Sequence, residues 1–276
     1  MSQDGSKDRF DDVFDEVNDA CAKWFGDHAA RHIELAGPDH HMVSAKLRHT
    51  QRVQDHVLAI IKEAKPSREN ARCAELAALL HDAARFPQLV RTASYDDHTG
   101  YNHAEAGARI VADAGLLDPL PERFGERVLT AIGLHNLGVL PTDLDPEDRL
   151  VLDILRNADK LDALRNCIRY LDPKNPKGRA LKSGMTFHPT NVSRETLDLA
   201  MNRQLIPFGS IVWSNDYTVF LCCWLYDLHF HCVFERLKTS GIYETLLGKL
   251  PDGDPFDALK TQLRDDLDWI ERRSRP

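Results

Sequence analysis

Residues 76–85 read Leu76-Ala77-Ala78-Leu79-Leu80-His81-Asp82-Ala83-Ala84-Arg85. Ala and Leu are the best helix formers. With the residues before it, the run predicts a helix over about Arg68 to Ala84, capped by Ser67, with Pro87 shortly after its end. What this apolar helix ends on decides the reading. A His-Asp pair there is costly to bury unless something satisfies it. Neighbouring helical residues point about 100° apart, so His81 and Asp82 cannot both face a core centrally, but both can flank one ion at the helix end. A neutral imidazole and a carboxylate are borderline ligands that suit Mn, Fe, Co, Ni or Zn. Alone, a His-Asp dipeptide is common and reads as a satisfied structural pair. The surrounding helices change that weighting.

The pattern on both sides is helical. Phe10, Val13, Phe14, Val17, Cys21, Trp24 and Phe25 form one apolar stripe at three- and four-residue steps. A second helix is predicted from about Ser44 to Lys65, with Leu47, Val53, Val57, Ile60 and Ile61 inward and Pro66 ending it. Residues Gln88 to Asn102 have no period and read as a long loop. Further helices are predicted at about His103–Ala114, Glu122–Leu134, Pro146–Tyr170, Arg194–Gln204, Asp216–Lys238 and Pro255–Arg273. Between Leu171 and Asn191 lies a basic, Pro- and Gly-containing segment with Lys174, Lys177, Arg179 and Lys182, which reads as a loop or lid. No strand pattern of useful length occurs. The expected architecture is an all-α bundle. Residues 1–43 form an N-terminal helix and acidic tail, 44–171 a metal-binding core, and 172–276 a lid loop and C-terminal helices of the same compact unit.

Composition narrows the function. With 276 residues the chain can bury a large core, and 42% hydrophobic with 28% charged residues is ordinary for a globular protein. The formal charge of −8 leaves no basic excess for a phosphate backbone, so nucleic acid is not an expected partner. A small phosphorylated ligand stays open, because a metal can supply positive charge. The most apolar stretch, Val219 to Phe234, is broken by Asp227, His229 and His231, so no membrane span is expected. The polar start, Met1 to Asp12, lacks the basic and apolar regions of a signal peptide. The six cysteines form no CxxC pair and read as buried thiols, which with the polar start predicts a cytoplasmic protein.

Six residues on separate helices or helix ends could meet around metal: His49, His81, Asp82, His103, His135 and Asp159. The words around them occur in the order His49-x-x-Arg52-Val53, Ala78-Leu79-Leu80-His81-Asp82, His103-Ala104-Glu105-Ala106-Gly107-Ala108, Ala131-Ile132-x-x-His135-Asn136 and Ala158-Asp159-Lys160-Leu161-Asp162. Over roughly Leu47 to Arg169 this resembles the HD-domain superfamily of metal-dependent phosphohydrolases. Arg85-Phe86-Pro87 and Trp224-Leu225-Tyr226-Asp227 are similar to a bacterial branch of it. The resemblance implies an HD-type helical bundle, with His49, His81, Asp82 and Asp159 as ligands of a first metal. It implies that His103 and His135 add a second metal, with Asp82 bridging. The cofactor is then one or two divalent transition metals (Mn, Fe, Co, Ni or Zn, with Mg also admissible). Two cations a few Å apart can clamp a phosphate and share an activated water. Many members continue His-Asp-Ile-Gly-Lys. Here the run is His81-Asp82-Ala83-Ala84-Arg85, so Arg85 stands where a phosphate-approaching Lys is found, with a fork suited to bidentate contact.

Lys160 follows a ligand and suits either substrate phosphate or an ion pair. Asn136 and Asp162 suit partners that fix imidazole tautomers. Arg52 reads as an ion-paired residue, and Tyr95 and His98 read first as solvent-exposed polar loop residues, with substrate contact as the other reading. His229 and His231 read as core or interface residues, and His40-His41 precede a helix with no obvious partner in the sequence. The expected function is hydrolysis of a phosphate ester or anhydride of a small metabolite, a nucleotide foremost, with Asp82, Arg85 and Lys160 catalytic and Arg85 and Lys160 on the substrate. Two alternatives use the same ligands: a di-iron oxygenase that cleaves a carbon bond with O₂, and a non-catalytic nucleotide sensor. The helix around Phe220 to Phe234 suits either a cover over the site or the contact of a homodimer.

Overall fold

The computed structural model describes residues 4–95, 97, 100–171 and 185–275, with side chains from Phe10 onward except at position 170. The fold is all-α. Among the described residues the β structure is a single parallel bridge between Thr186 and Trp213. No described helix is long and apolar enough to cross a membrane. The chain divides into two compact units, Met1–Arg156 and Asn157–Pro276.

The first unit holds α1 (Asp4–Ala36), α2 (His40–Ala64), α3 (Arg68–Leu80), α4 (Arg85–Thr92), α5 (His103–Asp113), α6 (Glu122–Leu134) and the first part of α7 (Pro146–Tyr170). The stripe on α1 packs against α2, α3 and α4. Phe14 and Phe124 meet with ring centroids 5.8 Å apart, and Phe10 lies 4.7 Å from Phe14. α3 sits between α2 and α6, and α5 lies along α6. Polar pins fix the ends. Ser67 caps α3 by accepting from the Asn70 N–H, and Asn102 caps α5 by accepting from the N–H groups of Ala104 and Glu105. Buried Arg127 on α6 donates to Asn70, Glu147 and Asp148, each at 2.7 Å, which ties α6 to the starts of α3 and α7.

The helix predicted to reach Ala84 ends at Leu80 instead, and the chain turns over residues 81–84 before starting α4. Pro87 therefore lies in the first turn of a new helix and does not follow the end of the old one. The first helical turn has no intrahelical use for its N–H groups, so proline is tolerated there. The loop expected from Gln88 is correspondingly shorter.

The second unit holds the rest of α7, α8 (Arg194–Met201), α9 (Ser214–Cys223), α10 (His231–Thr239), α11 (Ile242–Leu247) and α12 (Phe256–Arg273). The single helix expected over Asp216–Lys238 is two, separated by a 3₁₀ turn at Trp224–Asp227. The break exposes the His229 N–H, and the Asn157 side chain accepts it at 2.8 Å. The short α11 was not anticipated by the hydrophobic pattern. Buried Asp216 gathers the N–H groups of Ser193, Val212 and Trp213 and the Ser193 hydroxyl, which fixes the entry to α9. The basic stretch Lys174–Lys182 and His98 lie outside the described residues.

Candidate metal centre

Two helix C-termini deliver two of the histidines. His81 follows α3 and His135 follows α6, each as the residue that closes its helix. The last carbonyls of a helix lack intrahelical donors. His81 Nδ1–H donates to the Ala78 carbonyl at 2.8 Å, and His135 Nδ1–H donates to the Ile132 carbonyl at 2.7 Å. A carbonyl only accepts, so in a neutral ring the proton is on Nδ1 and Nε2 carries the lone pair. His103 begins α5, and its Nδ1–H donates to the Asp97 carboxylate. The same logic places its lone pair on Nε2. His49 comes from the interior of α2.

These Nε2 atoms converge. His103 and His135 bring theirs to 3.0 Å, and His49 and His81 to 3.4 Å. Asp82 lies between the two pairs. Its Oδ2 is 3.5 Å from His49 Nε2 and 3.4 Å from His81 Nε2, and its Oδ1 is 3.8 Å from His103 Nε2. All five residues are buried, none more than 4% exposed. Lone pairs facing one another at such distances in a buried site repel unless a cation or proton is shared between them. The donor set of imidazole nitrogens and a carboxylate fits a divalent transition metal. Asp82, His103 and His135 form one ligand group, their atoms all within 4.8 Å of one another. Since the two oxygens of Asp82 face different histidines, one carboxylate can serve two ions.

The electrostatics favour an ionised carboxylate at Asp82 and a neutral imidazole at His103. Burial pushes the Asp82 carboxyl up, but Lys46, His81 and His49 outweigh it and hold the group well below the ordinary carboxylate range. Burial first, and then Arg85, lowers His103 to about 4, against the opposing pull of Asp97 and Asp82. Asp97 is also held low: burial is outweighed by the His103 hydrogen bond and the Arg85 charge.

Arg85 lies at the centre but is already engaged. Its Nη1 donates to Gln88 Oε1 at 2.8 Å, the Tyr95 carbonyl at 2.7 Å and Asp97 Oδ1 at 2.9 Å. Its buried Nε has no hydrogen-bond partner and lies 3.6 Å from Asp82 Oδ1. Asn136 donates to Asn102 Oδ1 at 2.9 Å, which joins the end of α6 to the cap of α5, and it lies 3.4 Å from His103 Nδ1. Asp159 and Lys160 are carried on α7 beyond Arg156, in the second unit. There Lys160 is paired with Asp227, its ammonium 5.8 Å from the Trp224 ring centroid. Arg156 ends the first unit and donates to the His135 carbonyl at 2.9 Å.

Two residues at the centre escaped the sequence reading. Lys46 reaches Asp82 Oδ2 at 2.5 Å. Its signal was present, since it stands one helical turn before His49 and on the same face. Asp97 had no such signal, because it sits in an aperiodic segment.

A family model described as HD domain matches residues 47–164. No curated protein and no solved structure matches the chain.

Proposed function

We propose, from the match of an HD-domain family model to residues 47–164, that the chain is a metal-dependent phosphohydrolase acting on a small phosphorylated metabolite, a nucleotide foremost. The observation that carries this reading is the convergence of the buried Nε2 atoms of His49, His81 and His103 on the two oxygens of Asp82. One ligand group supports it, Asp82–His103–His135. Divalent cations held there supply Lewis-acid charge for a phosphoryl oxygen and an activated water. Asp82 holds the two halves of the centre together. Asp97 keeps the His103 ring oriented and Arg85 aimed at the same place. Arg85 Nε is the donor that a phosphoryl oxygen can take without breaking an existing hydrogen bond.

The test is phosphate release from nucleotides and sugar phosphates by metal-stripped protein reloaded with Mn, Co, Ni, Mg or Fe. Asp82→Ala is run alongside. Release that requires metal and disappears in the variant supports the proposal. Undiminished activity in Asp82→Ala overturns it. Absence of release together with two retained irons and O₂ uptake transfers the centre to oxygenase chemistry.

A further inference from the structure

Lys46 stands three residues before His49 on α2, so both side chains leave one helical face. Its Nζ lies 2.5 Å from Asp82 Oδ2, the oxygen that also faces His49 and His81. A divalent ion held by those histidines would draw on the same carboxylate. Two cations at contact distance from one carboxylate oxygen repel strongly in a buried site. The lysine is the partner able to yield: its side chain is 20% exposed and flexible, while Asp82 is 2% exposed. It has a place to go. Its ammonium lies 5.6 Å from the Tyr95 ring centroid, and the Arg85 guanidinium lies 5.7 Å from the same ring. Lys46 and Arg85 thus approach one aromatic ring, and each also approaches one oxygen of Asp82.

We propose that Lys46 is a substrate-binding residue that exchanges Asp82 for the substrate's phosphoryl group when the centre takes up metal, sharing that group with Arg85. The inference rests on the phosphohydrolase reading and names a residue and a substrate property beyond it. In this cluster Lys46 and Arg85 are matched in charge by Asp82 and Asp97. Each divalent cation adds positive charge that these carboxylates do not balance. A dianionic phosphate restores the balance and a monoanionic diester does so less well. The centre therefore selects substrates that end in a phosphate monoester or a terminal phosphate of an anhydride.

Calorimetric titration of the full chain, first with Mn²⁺ and then with inorganic phosphate, tests this in the wild type, Lys46→Met and Lys46→Arg. Lys46→Met is expected to bind Mn²⁺ at least as tightly as the wild type, because a competitor for Asp82 is gone. Its phosphate affinity is expected to fall roughly ten- to hundredfold, the range for losing one charge-assisted hydrogen bond. Lys46→Arg is expected to recover most of it. Phosphate affinity in Lys46→Met within twofold of wild type overturns the proposal. So does a Lys46→Met protein that loses Mn²⁺ binding along with thermal stability, since the lysine is then a structural ion pair. A wild type that binds no Mn²⁺ or other divalent metal overturns the phosphohydrolase reading itself, and is told apart because the failure precedes any substitution.

Discussion

Single hydrogen bonds decide which nitrogen His81, His103 and His135 present, and one of them comes from a loop. Asp97 accepts from His103 Nδ1–H and also holds Arg85 and Gln88. Outer carboxylates of this kind typically change metal affinity 10- to 100-fold. Asp97→Ala is expected to weaken the second of two bound cations by about that factor while leaving the first nearly unchanged. Stepwise metal titration reads the difference, and equal weakening of both steps contradicts it. His28 offers a test away from the ligands. It donates from Nε2 to the Ala83 carbonyl at 3.0 Å, and burial lowers it to about 4. The unfolded chain takes up the same proton near the ordinary value of about 6.5. Between those values unfolding binds a proton, so stability falls as the pH drops from about 6.5 toward 4. Urea unfolding of metal-free protein at pH 7 and pH 5 is expected to show that loss. His28→Gln shows a shallower one, with His103 contributing the part that remains.

Helices matter here through how closely they approach. Gly107 lies one turn after His103 on α5, and a Cβ placed there meets the His81 carbonyl at 3.3 Å and Ile132 Cγ2 at 3.5 Å. The glycine lets α5 close onto the turn that carries His81 and Asp82. Gly107→Val is expected to destabilise by about 1–3 kcal/mol, the usual cost of overpacking, and to weaken metal uptake by moving His103. Urea midpoints and metal stoichiometry check both halves. Gly26 on α1 is the contrast, since nothing lies within 4 Å of an added Cβ. Gly26→Ala is expected to stabilise by about 0.5–1 kcal/mol through helix propensity alone. A destabilised Gly26→Ala protein contradicts the open surroundings of that position.

The whole molecule is expected to register metal as added stability. A ligand that binds the folded state alone contributes about 2.7 kcal/mol at a hundred times its dissociation constant. A rise in the thermal midpoint on adding Mn²⁺, absent in Asp82→Asn, is the expected calorimetric result. Helix type and five of the centre's histidine and carboxylate positions were legible from order and spacing, because a 3.6-residue period and two C-terminal histidines are local properties. The Nδ1 bonds of His81 and His135 reach only three residues back, so the sequence itself determined those tautomers. It also determined that the chain is helical and which side chains are ligand types. The break at residues 81–84, the placement of Pro87 inside α4 and the division of Asp216–Lys238 were not legible, because packing and hydrogen bonds set where a helix stops. Tertiary structure alone decided that His49 meets His81, that His103 meets His135, and that Lys46 and Asp97 belong to the same centre. Most of these partners lie 32 to 36 positions apart. Their distances follow from how α2, α3, α5 and α6 pack, and a local pattern holds no information about that.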